Sequence, residues 1–252
     1  MSLLRLPRTL LGVIIVVLTF SHSVNAKTIV LSSPVEQATL LELYTSEGCS
    51  SCPPADRWLG KLKSNKDLWQ KIVPLSFHVD YWDYLGWRDR FSDARYSKRQ
   101  TNYRKHDYLD VVYTPGFVKN GREFRGWRSG RKILDRTANK VGILKAEITD
   151  NNANIEFTPT EKLTRNITLN IALLGFDQIT NVKAGENSGR RLSHDFVVLD
   201  HRQHQQQTVG KSFRWKLDNL NESNLPDVSG IALWITEAND PTPIQATGGF
   251  LQ

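Results

Sequence analysis

Both cysteines of this 252-residue chain lie in one short stretch, Ser46-Glu47-Gly48-Cys49-Ser50-Ser51-Cys52-Pro53-Pro54. A Cys-x-x-Cys pair at the turn between a strand and a helix is the minimal device for thiol–disulfide exchange. Because the chain has no other cysteine, the pair cannot belong to a wider disulfide framework. It also cannot supply all four ligands of a cysteine zinc site. The two thiols therefore act with each other, with a partner, or with histidines.

A strand, a helix and a second strand are predicted around this stretch. Residues 39–44 are mostly apolar and predict the first strand, and residues 72–79 predict the second. The helix begins close to Cys49, with Pro53 and Pro54 in its first turn, where backbone N–H groups have no intrahelical partner. A strand–helix–strand order of this length favours a parallel, right-handed unit.

The next elements continue an alternating order. Residues 92–105 are polar and basic and predict a helix. The dipeptide Asn120-Gly121 is a strong signal for a two-residue hairpin between strands. Residues 130–141 predict a last helix, with its apolar residues on one face. The resulting order, β-α-β-α-β-β-α, is that of a thioredoxin core.

Two resemblances follow from these residues. Residues 37–142 resemble a thioredoxin-like domain, through the Cys-x-x-Cys after the first strand, Thr114-Pro115 before the third strand, and the hairpin with its terminal helix. Over nearly its whole length after residue 26, the chain is also similar to a family of secreted proteins known as domain of unknown function 1223. That second resemblance rests on two phrases, Glu42-Leu43-Tyr44-Thr45-Ser46-Glu47-Gly48-Cys49-Ser50-Ser51-Cys52-Pro53-Pro54-Ala55-Asp56 and Phe77-His78-Val79-Asp80-Tyr81-Trp82-Asp83-Tyr84-Leu85-Gly86-Trp87. The family name brings no activity with it.

The position of the cysteines predicts their roles. Cys49 lies at the start of the helix, where the helix dipole and free N–H groups stabilise a thiolate, so it is the expected nucleophile. Cys52, one turn later, is the expected resolving thiol, which releases a mixed disulfide formed at Cys49. Two alternatives stay open: a permanently oxidised, structural bridge, and metal capture.

The thioredoxin-like resemblance implies two further catalytic residues. It places a cis-proline opposite the cysteines, and Pro115, preceded by Thr114, matches that position. It also implies a buried carboxylate beneath the disulfide, which matches Glu42. A buried carboxylate has a raised pKa and can deprotonate Cys52. The alternative is a solvated Glu42 at the edge of the sheet.

An aromatic loop after the second strand supplies the remaining candidates for substrate binding. The loop residues Tyr81, Trp82, Tyr84 and Trp87 are expected to form a hydrophobic rim that receives a partner, or else to pack under the following helix. Thr114, beside Pro115, is a further candidate for substrate binding. His78 ends the second strand, near the edge where parallel-sheet sites form. Soft thiolates and an imidazole suit copper or zinc, but such a histidine is more often a structural residue.

From about residue 145 the apolar pattern changes to a period of two, with turn residues between short segments. Several short strands of this kind predict a β-sandwich. Residues 185–190 form a glycine-punctuated loop, which either reaches across to the cysteines or is a plain turn. His201 and His204 are weak evidence for a metal, because no acidic or cysteine ligand adjoins them.

The N-terminus has the pattern of a secretory signal. Arg5 and Arg8 are followed by an apolar run over residues 10–18 and by small residues near Ala26. An uncleaved anchor is the alternative. The formal charge of +7 is spread among acids and does not indicate nucleic-acid binding. A signal sequence predicts a periplasmic or secreted protein in an oxidising compartment, where a disulfide persists.

The predicted fold class is therefore α/β plus all-β. A signal peptide (residues 1–26) precedes a thioredoxin-like domain (27–143) and a β-sandwich-like domain (144–252). The predicted function is thiol–disulfide exchange by the Cys-x-x-Cys pair, acting on a protein thiol or disulfide with a redox recycling partner. No cofactor, resident metal or stable membrane insertion after cleavage is expected. The alternative is a redox-silent module that binds a protein or peptide and uses the disulfide as a brace.

Overall fold

The computed structural model describes residues 27–130, 133–134, 139–206, 210–221, 225 and 227–251. The predicted signal sequence lies outside these residues, as do positions 131–132 and 135–138 of the helix predicted over residues 130–141. In the described part of the chain, no helix has the length and apolar character needed to cross a membrane.

The described residues form fourteen strands and two α-helices, with short 3-10 helices at Lys61–Ser64, Asp83–Leu85 and Gly126–Arg128. In chain order the elements are β1 (Thr28–Ser32), β2 (Thr39–Thr45), α1 (Pro53–Gly60), β3 (Ile72–His78), α2 (Ala94–Lys105), β4 (Gly116–Lys119), β5 (Arg122–Glu123), β6 (Gly142–Thr149), β7 (Asn152–Pro159), β8 (Ile167–Gly175), β9 (Gln178–Asn181), β10 (Arg191–His194), β11 (Val197–Gln206), β12 (Phe213–Leu217), β13 (Gly230–Glu237) and β14 (Pro243–Phe250).

The predicted fold class is wrong. The described chain is mostly β, and its largest sheet has eight strands in the order β14-β13-β8-β11-β3-β2-β4-β5. Strands from both predicted domains share this sheet, and the predicted boundary at residue 143 falls inside β6. The junction is a parallel pairing of β3 with β11, at Ser76 and Val197, and the Ser76 N–H donates to the Phe196 carbonyl oxygen at 2.8 Å. Strand patterns predict which residues are extended, but not which strand each one pairs with.

Several local predictions are confirmed. Strands β2 and β3, which precede and follow α1 in the chain, pair in parallel, and β4 pairs with β2 in the antiparallel direction. Helix α2 begins after Asp93, whose carboxylate accepts the Arg95 backbone N–H at 2.7 Å. The hairpin between β4 and β5 turns at Asn120 and Gly121, both with positive φ, as a two-residue turn of this type requires.

The eight-stranded sheet lies between a second sheet and the helices. A four-stranded sheet, β1-β6-β7-β12, covers one face of its C-terminal strands. Along β8, Leu169, Ile171 and Leu173 join the core with that sheet, whereas Ala172 and Leu174 join the core that contains the helices. A strand covered on both faces is buried along its whole length, and all nine residues of β8 are buried, including the polar Thr168 and Asn170.

A buried ion pair holds α2 against the sheet. Arg99 of α2 donates to the two carboxylate oxygens of Glu42 on β2 at 2.6 and 3.1 Å. The hydroxyl groups of Tyr44 and Tyr103 lie 2.6 and 2.9 Å from the same oxygens. The Arg99 guanidinium also stands 5.1 Å from the ring of Trp234 on β13. Residues from both predicted domains therefore meet at this pair.

Substituting Glu42→Gln should leave the Arg99 guanidinium buried without its counter-charge. Breaking a buried ion pair on one side costs about 3–5 kcal/mol, so we expect the free energy of unfolding to fall by that amount in urea denaturation. Glu147→Gln is the matched control, because Glu147 pairs with Lys145 on the exposed surface. Its loss should cost no more than about 1 kcal/mol. Equal losses for the two variants would contradict a structural role for Glu42.

Candidate active site at the Cys49–Cys52 disulfide

The two cysteines form a disulfide at the start of α1. Their Cα atoms are 5.5 Å apart, and the Cys52 N–H donates to the Cys49 carbonyl oxygen at 3.2 Å. Cys52 is the N-cap residue of α1, and Pro53 occupies the first helical position. The turn follows directly from β2, so the predicted strand–turn–helix setting of the pair is confirmed.

Both cysteines are buried, although the residues between them are exposed. Cys49 is 1% exposed and Cys52 is 0% exposed, whereas Ser50 and Ser51 face solvent. The Ser51 hydroxyl oxygen lies 3.4 Å from the Cys49 sulfur. A reagent that approaches the disulfide therefore meets the Ser50-Ser51 turn first.

An open groove of about 460 Å³ adjoins this turn. Ser51 of the cysteine turn lines it together with Thr114 and Pro115, and the Thr114–Pro115 peptide bond is cis, as the resemblance implied. The rest of its wall is apolar or basic and comprises Val111, Tyr113, Arg125, Trp127 and Arg128. The predicted juxtaposition of Pro115 and Thr114 with the cysteine turn is thus present in the structure.

Tyr81 and Trp82, two of the aromatic residues expected at the rim, are not among the residues that line the groove. The Trp82 indole N–H donates to the Thr114 hydroxyl at 2.7 Å, so Trp82 holds a residue of the groove wall. Tyr81 is half-buried, and its hydroxyl donates to Gln100 on α2 at 3.1 Å. Tyr81 therefore packs toward the following helix, the alternative considered from the sequence.

Glu42 and His78 are not placed as predicted. The Glu42 carboxylate is buried, but it is bound by Arg99 and two tyrosines instead of facing the cysteines. His78 is 0% exposed, so it cannot meet a substrate at the surface, and its Nδ1 lies 2.7 Å from Asp89. Among the described residues, no group of three or more His, Cys, Asp or Glu side chains could hold a metal ion. His201 on β11 stacks on Trp234 of β13 within the eight-stranded sheet.

The loop over residues 185–190 reaches the cysteine turn, as one of its two interpretations proposed. The Asn187 side-chain amide donates to the carbonyl oxygens of Glu47 and Cys49 at 2.8 and 2.9 Å. The Glu186 carboxylate accepts the Ser50 N–H at 3.0 Å, and this bonding lowers the pKa of Glu186. Gly185 has a φ of +72°, and a Cβ there would stand 3.2 Å from the Trp87 side chain, so the approach requires glycine.

A cluster of buried ionisable residues lies beneath the cysteine turn, and sequence reasoning missed most of it. We call it the acid–histidine cluster. It contains Glu47 before the cysteines, Asp56 on α1, His78 at the end of β3, Asp89 before α2, and His194 at the end of β10; each is at most 5% exposed. His194 comes from β10, more than a hundred residues after the cysteines, and no local pattern marks it.

Within this cluster, His78 and Asp89 form an ion pair. Burial alone would lower the pKa of His78, but the Asp89 carboxylate outweighs burial and raises it. Burial would likewise raise the pKa of Asp89, but the His78 charge and backbone N–H donors hold it below its usual value. The pair is therefore an imidazolium–carboxylate pair at moderately acidic pH.

Fold and site together define a mostly β protein with a buried Cys-x-x-Cys disulfide that a distant loop clamps beside an open groove. The chain belongs to the family described as Protein of unknown function (DUF1223), whose model matches residues 40–236. The resemblance to domain of unknown function 1223 is thereby confirmed. Comparison with curated proteins gives no significant match.

Two solved structures are similar to this chain. The crystal structure of protein AGR_C_4864 from Agrobacterium tumefaciens is 25% identical, with a TM-score of 0.63, and the match covers 86% of this chain and 95% of that one. HBP35 of Porphyromonas gingivalis is 13% identical, with a TM-score of 0.55, over 85% of this chain and 75% of that one. The likeness to HBP35 shows the fold alone.

Substituting Asn187→Ala should release the cysteine turn. The buried Glu47 carbonyl oxygen then loses its donor, and the Cys49 carbonyl oxygen keeps only the Cys52 N–H. An unsatisfied buried group costs about 1–3 kcal/mol. We expect lower stability in urea and faster reduction of the disulfide by dithiothreitol, measured as the rate of thiol appearance. Ser188→Ala in the same loop is the control, since the Ser188 hydroxyl contacts only the Lys183 carbonyl. Unchanged reduction kinetics in Asn187→Ala would contradict the clamp.

The His78–Asp89 pair should make stability depend on pH. The raised pKa of His78 means that its contribution is full below about pH 6.5 and is lost as pH rises through the raised value. The lowered pKa of Asp89 means that its contribution is lost only in acid. Asp89→Asn should therefore cost about 3–5 kcal/mol at pH 6, and less at pH 9. Urea unfolding of the wild type and of Asp89→Asn at both pH values measures this loss in the free energy of unfolding.

Asp177→Asn is the matched control for that experiment. Asp177 is a largely exposed partner of Lys63, so its loss should cost no more than about 1 kcal/mol at either pH. If the loss of unfolding free energy in Asp89→Asn is the same at both pH values, or grows with rising pH, a charged His78–Asp89 pair is contradicted.

Proposed function

We propose that the protein carries out thiol–disulfide exchange at Cys49 and Cys52. The observation that carries this proposal is the position of the disulfide, at the start of a helix and beside a groove lined by Ser51, Thr114 and Pro115. An exchange-active pair needs a stabilised thiolate and a surface where a partner chain can approach it. The helix dipole at the start of α1 and the Ser51 hydroxyl favour the first, and the groove offers the second.

Cys49 is the sulfur that a partner attacks. It precedes the helix, and the Ser51 hydroxyl 3.4 Å away can donate to its thiolate. A partner thiolate forms a bond to the Cys49 sulfur, and the Cys49–Cys52 bond breaks, with its electron pair leaving on Cys52. A second partner thiolate then attacks the partner sulfur of the mixed disulfide and releases the Cys49 thiolate. The partner dithiol is oxidised, the protein disulfide is reduced, and the reverse sequence reoxidises the pair.

The partners are a protein thiol or disulfide and a second redox protein that recycles the pair. The groove suits an extended segment of such a substrate, because it is open and has apolar and cationic walls. Val111 is 50% exposed there, and the Arg128 guanidinium lies 4.8 Å from the Trp127 ring centre. The predicted signal sequence supports a periplasmic or secreted location, where disulfides persist.

A redox-silent binding module is the second candidate, and the burial of the sulfurs favours it. Cys49 and Cys52 are almost fully covered, and Asn187 and Glu186 brace the turn that holds them. In this case the groove binds a peptide segment, and the disulfide only fixes the shape of the cysteine turn.

Trapping separates the two candidates. In Cys52→Ser, the resolving thiol is absent, so a mixed disulfide formed at Cys49 cannot be released and should accumulate. Non-reducing electrophoresis of the protein expressed in its own cells, followed by mass spectrometry, detects the adduct and names the partner. Cys49→Ser is the matched control and should trap far less. No adduct specific to Cys52→Ser would remove exchange chemistry and leave the binding module.

A further inference from the structure

The acid–histidine cluster holds an unusual concentration of unsatisfied polar atoms. Five buried side-chain atoms within it have no hydrogen-bond partner: Glu47 Oε1, Asp56 Oδ1, His78 Nε2, and both ring nitrogens of His194. Buried polar atoms are normally paired, because each unpaired one is costly. By contrast, the oxygens of Glu42, the other deeply buried carboxylate described above, are fully bonded. The unsatisfied atoms therefore indicate that the acid–histidine cluster has a role beyond packing the core.

His194 stands between the two carboxylates. Its Nε2 lies 3.8 Å from Glu47 Oε1, and its Nδ1 lies 3.8 Å from Asp56 Oδ1. These distances are beyond a hydrogen bond, but a small rotation of the ring or of either carboxylate closes them. An imidazole accepts a proton on one nitrogen and donates from the other, so this ring connects the two acids as a proton carrier.

A second histidine and a third acid flank His194 and the two carboxylates. The His78 ring centre is 4.9 Å from that of His194, and Asp89 binds the far side of His78. The second oxygens of the two carboxylates are anchored, by the Trp87 indole N–H on Glu47 and by the Thr45 hydroxyl on Asp56.

Charged residues outside the cluster are engaged elsewhere. Arg90 stands over the Phe91 ring, which separates it from His194, and it binds Gln178 and Thr180 of β9. Asp195, the residue after His194, binds Lys63. The row Glu47–His194–Asp56 thus contains two acids and one imidazole, with His78 and Asp89 as a fixed neighbouring pair.

Both acids of the row lie close to the cysteines in the sequence. Glu47 lies two residues before Cys49. Asp56 lies four residues after Cys52 on α1, and its backbone N–H donates to the Cys52 carbonyl oxygen at 3.2 Å. Residues four apart on a helix share a face, so the Asp56 carboxylate and the Cys52 sulfur lie on the same side of α1.

We propose that Glu47, His194 and Asp56 form a buried proton relay that serves Cys52 during exchange. The proposal rests on the exchange function proposed above. When a partner thiolate attacks Cys49, the S–S electron pair leaves on Cys52 as a thiolate. The Asp56 carboxyl group gives its proton to that sulfur, His194 Nδ1–H restores the Asp56 proton, and Glu47 restores a proton at His194 Nε2. The partner dithiol supplies both electrons, and the row ends with one proton fewer. Oxidation of the pair runs the same steps backwards.

The pH dependence of disulfide reduction tests the relay. The full-length protein is reduced with dithiothreitol between pH 5 and pH 9, at a fixed concentration of the dithiothreitol thiolate, and thiol appearance is followed in time. His194→Gln should lower the rate roughly 100-fold, the usual contribution of a positioned proton donor, and should flatten its dependence on pH. His201→Gln is the matched control, because His201 is a largely buried histidine of the central sheet that lies outside the row. It should keep the wild-type rate and pH profile.

A second set of variants separates a relay from a packing role. Asp56→Asn and Glu47→Gln keep the shape of each side chain, and they replace His194→Gln if that variant does not fold. Residues that act as one unit have non-additive effects, so Asp56→Asn combined with His194→Gln should be no slower than the slower single variant. Independent, multiplying losses would overturn the relay.

The outcomes also separate the relay from the exchange function. Reduction with a wild-type pH profile in His194→Gln, or in Asp56→Asn, overturns the relay and leaves exchange intact. A wild-type disulfide that dithiothreitol does not reduce in the folded protein overturns the relay as well. Slower reduction with a flattened pH dependence in the variants, together with no trapped adduct in Cys52→Ser, upholds the proton relay and removes the exchange function.

Discussion

The parallel pairing of β3 with β11 holds the two halves of the chain together. It joins strands from the two halves of the chain into one sheet, with Ser76 and Val197 at the junction. Because β9, β10 and the 185–190 loop lie between β8 and β11, this junction also carries Asn187 and His194 to the cysteine turn. A site near residue 49 is thereby completed by residues near 190. The clamp on the disulfide and the position of His194 among the buried acids are consequences of one continuous sheet.

Two buried polar centres in this protein differ in how completely their atoms are bonded. Around Glu42, an arginine and two tyrosines satisfy both carboxylate oxygens, and the arrangement fixes α2 against the sheet. Around His194, both nitrogens and one oxygen of each flanking carboxylate are unsatisfied. A fully bonded network stiffens a core, whereas a partly bonded one is costly unless it has another use. The contrast assigns structure to the first centre and proton handling to the second.

Sequence reasoning succeeded where the signal is local. The cysteine turn, the parallel strands beside α1, the Asn120-Gly121 hairpin and the start of α2 each follow from adjacent residues. The fold class could not be predicted in the same way, because the apolar run of β8 suits a separate sandwich and a shared sheet equally well. Glu42 was expected to carry a proton because of the thioredoxin-like resemblance, and no local pattern shows that it pairs with Arg99, 57 residues away. His194 carried no pattern at all, and the 185–190 loop was marked only by its glycines.

Although it is buried, the Cys49–Cys52 pair is proposed to exchange with other proteins. Its reduction potential, measured on the folded protein by equilibration with defined thiol–disulfide buffers, tests this proposal. We expect a value above about −300 mV, within the range of pairs that exchange with other proteins. A value below about −300 mV, typical of structural disulfides, would show that the pair does not exchange.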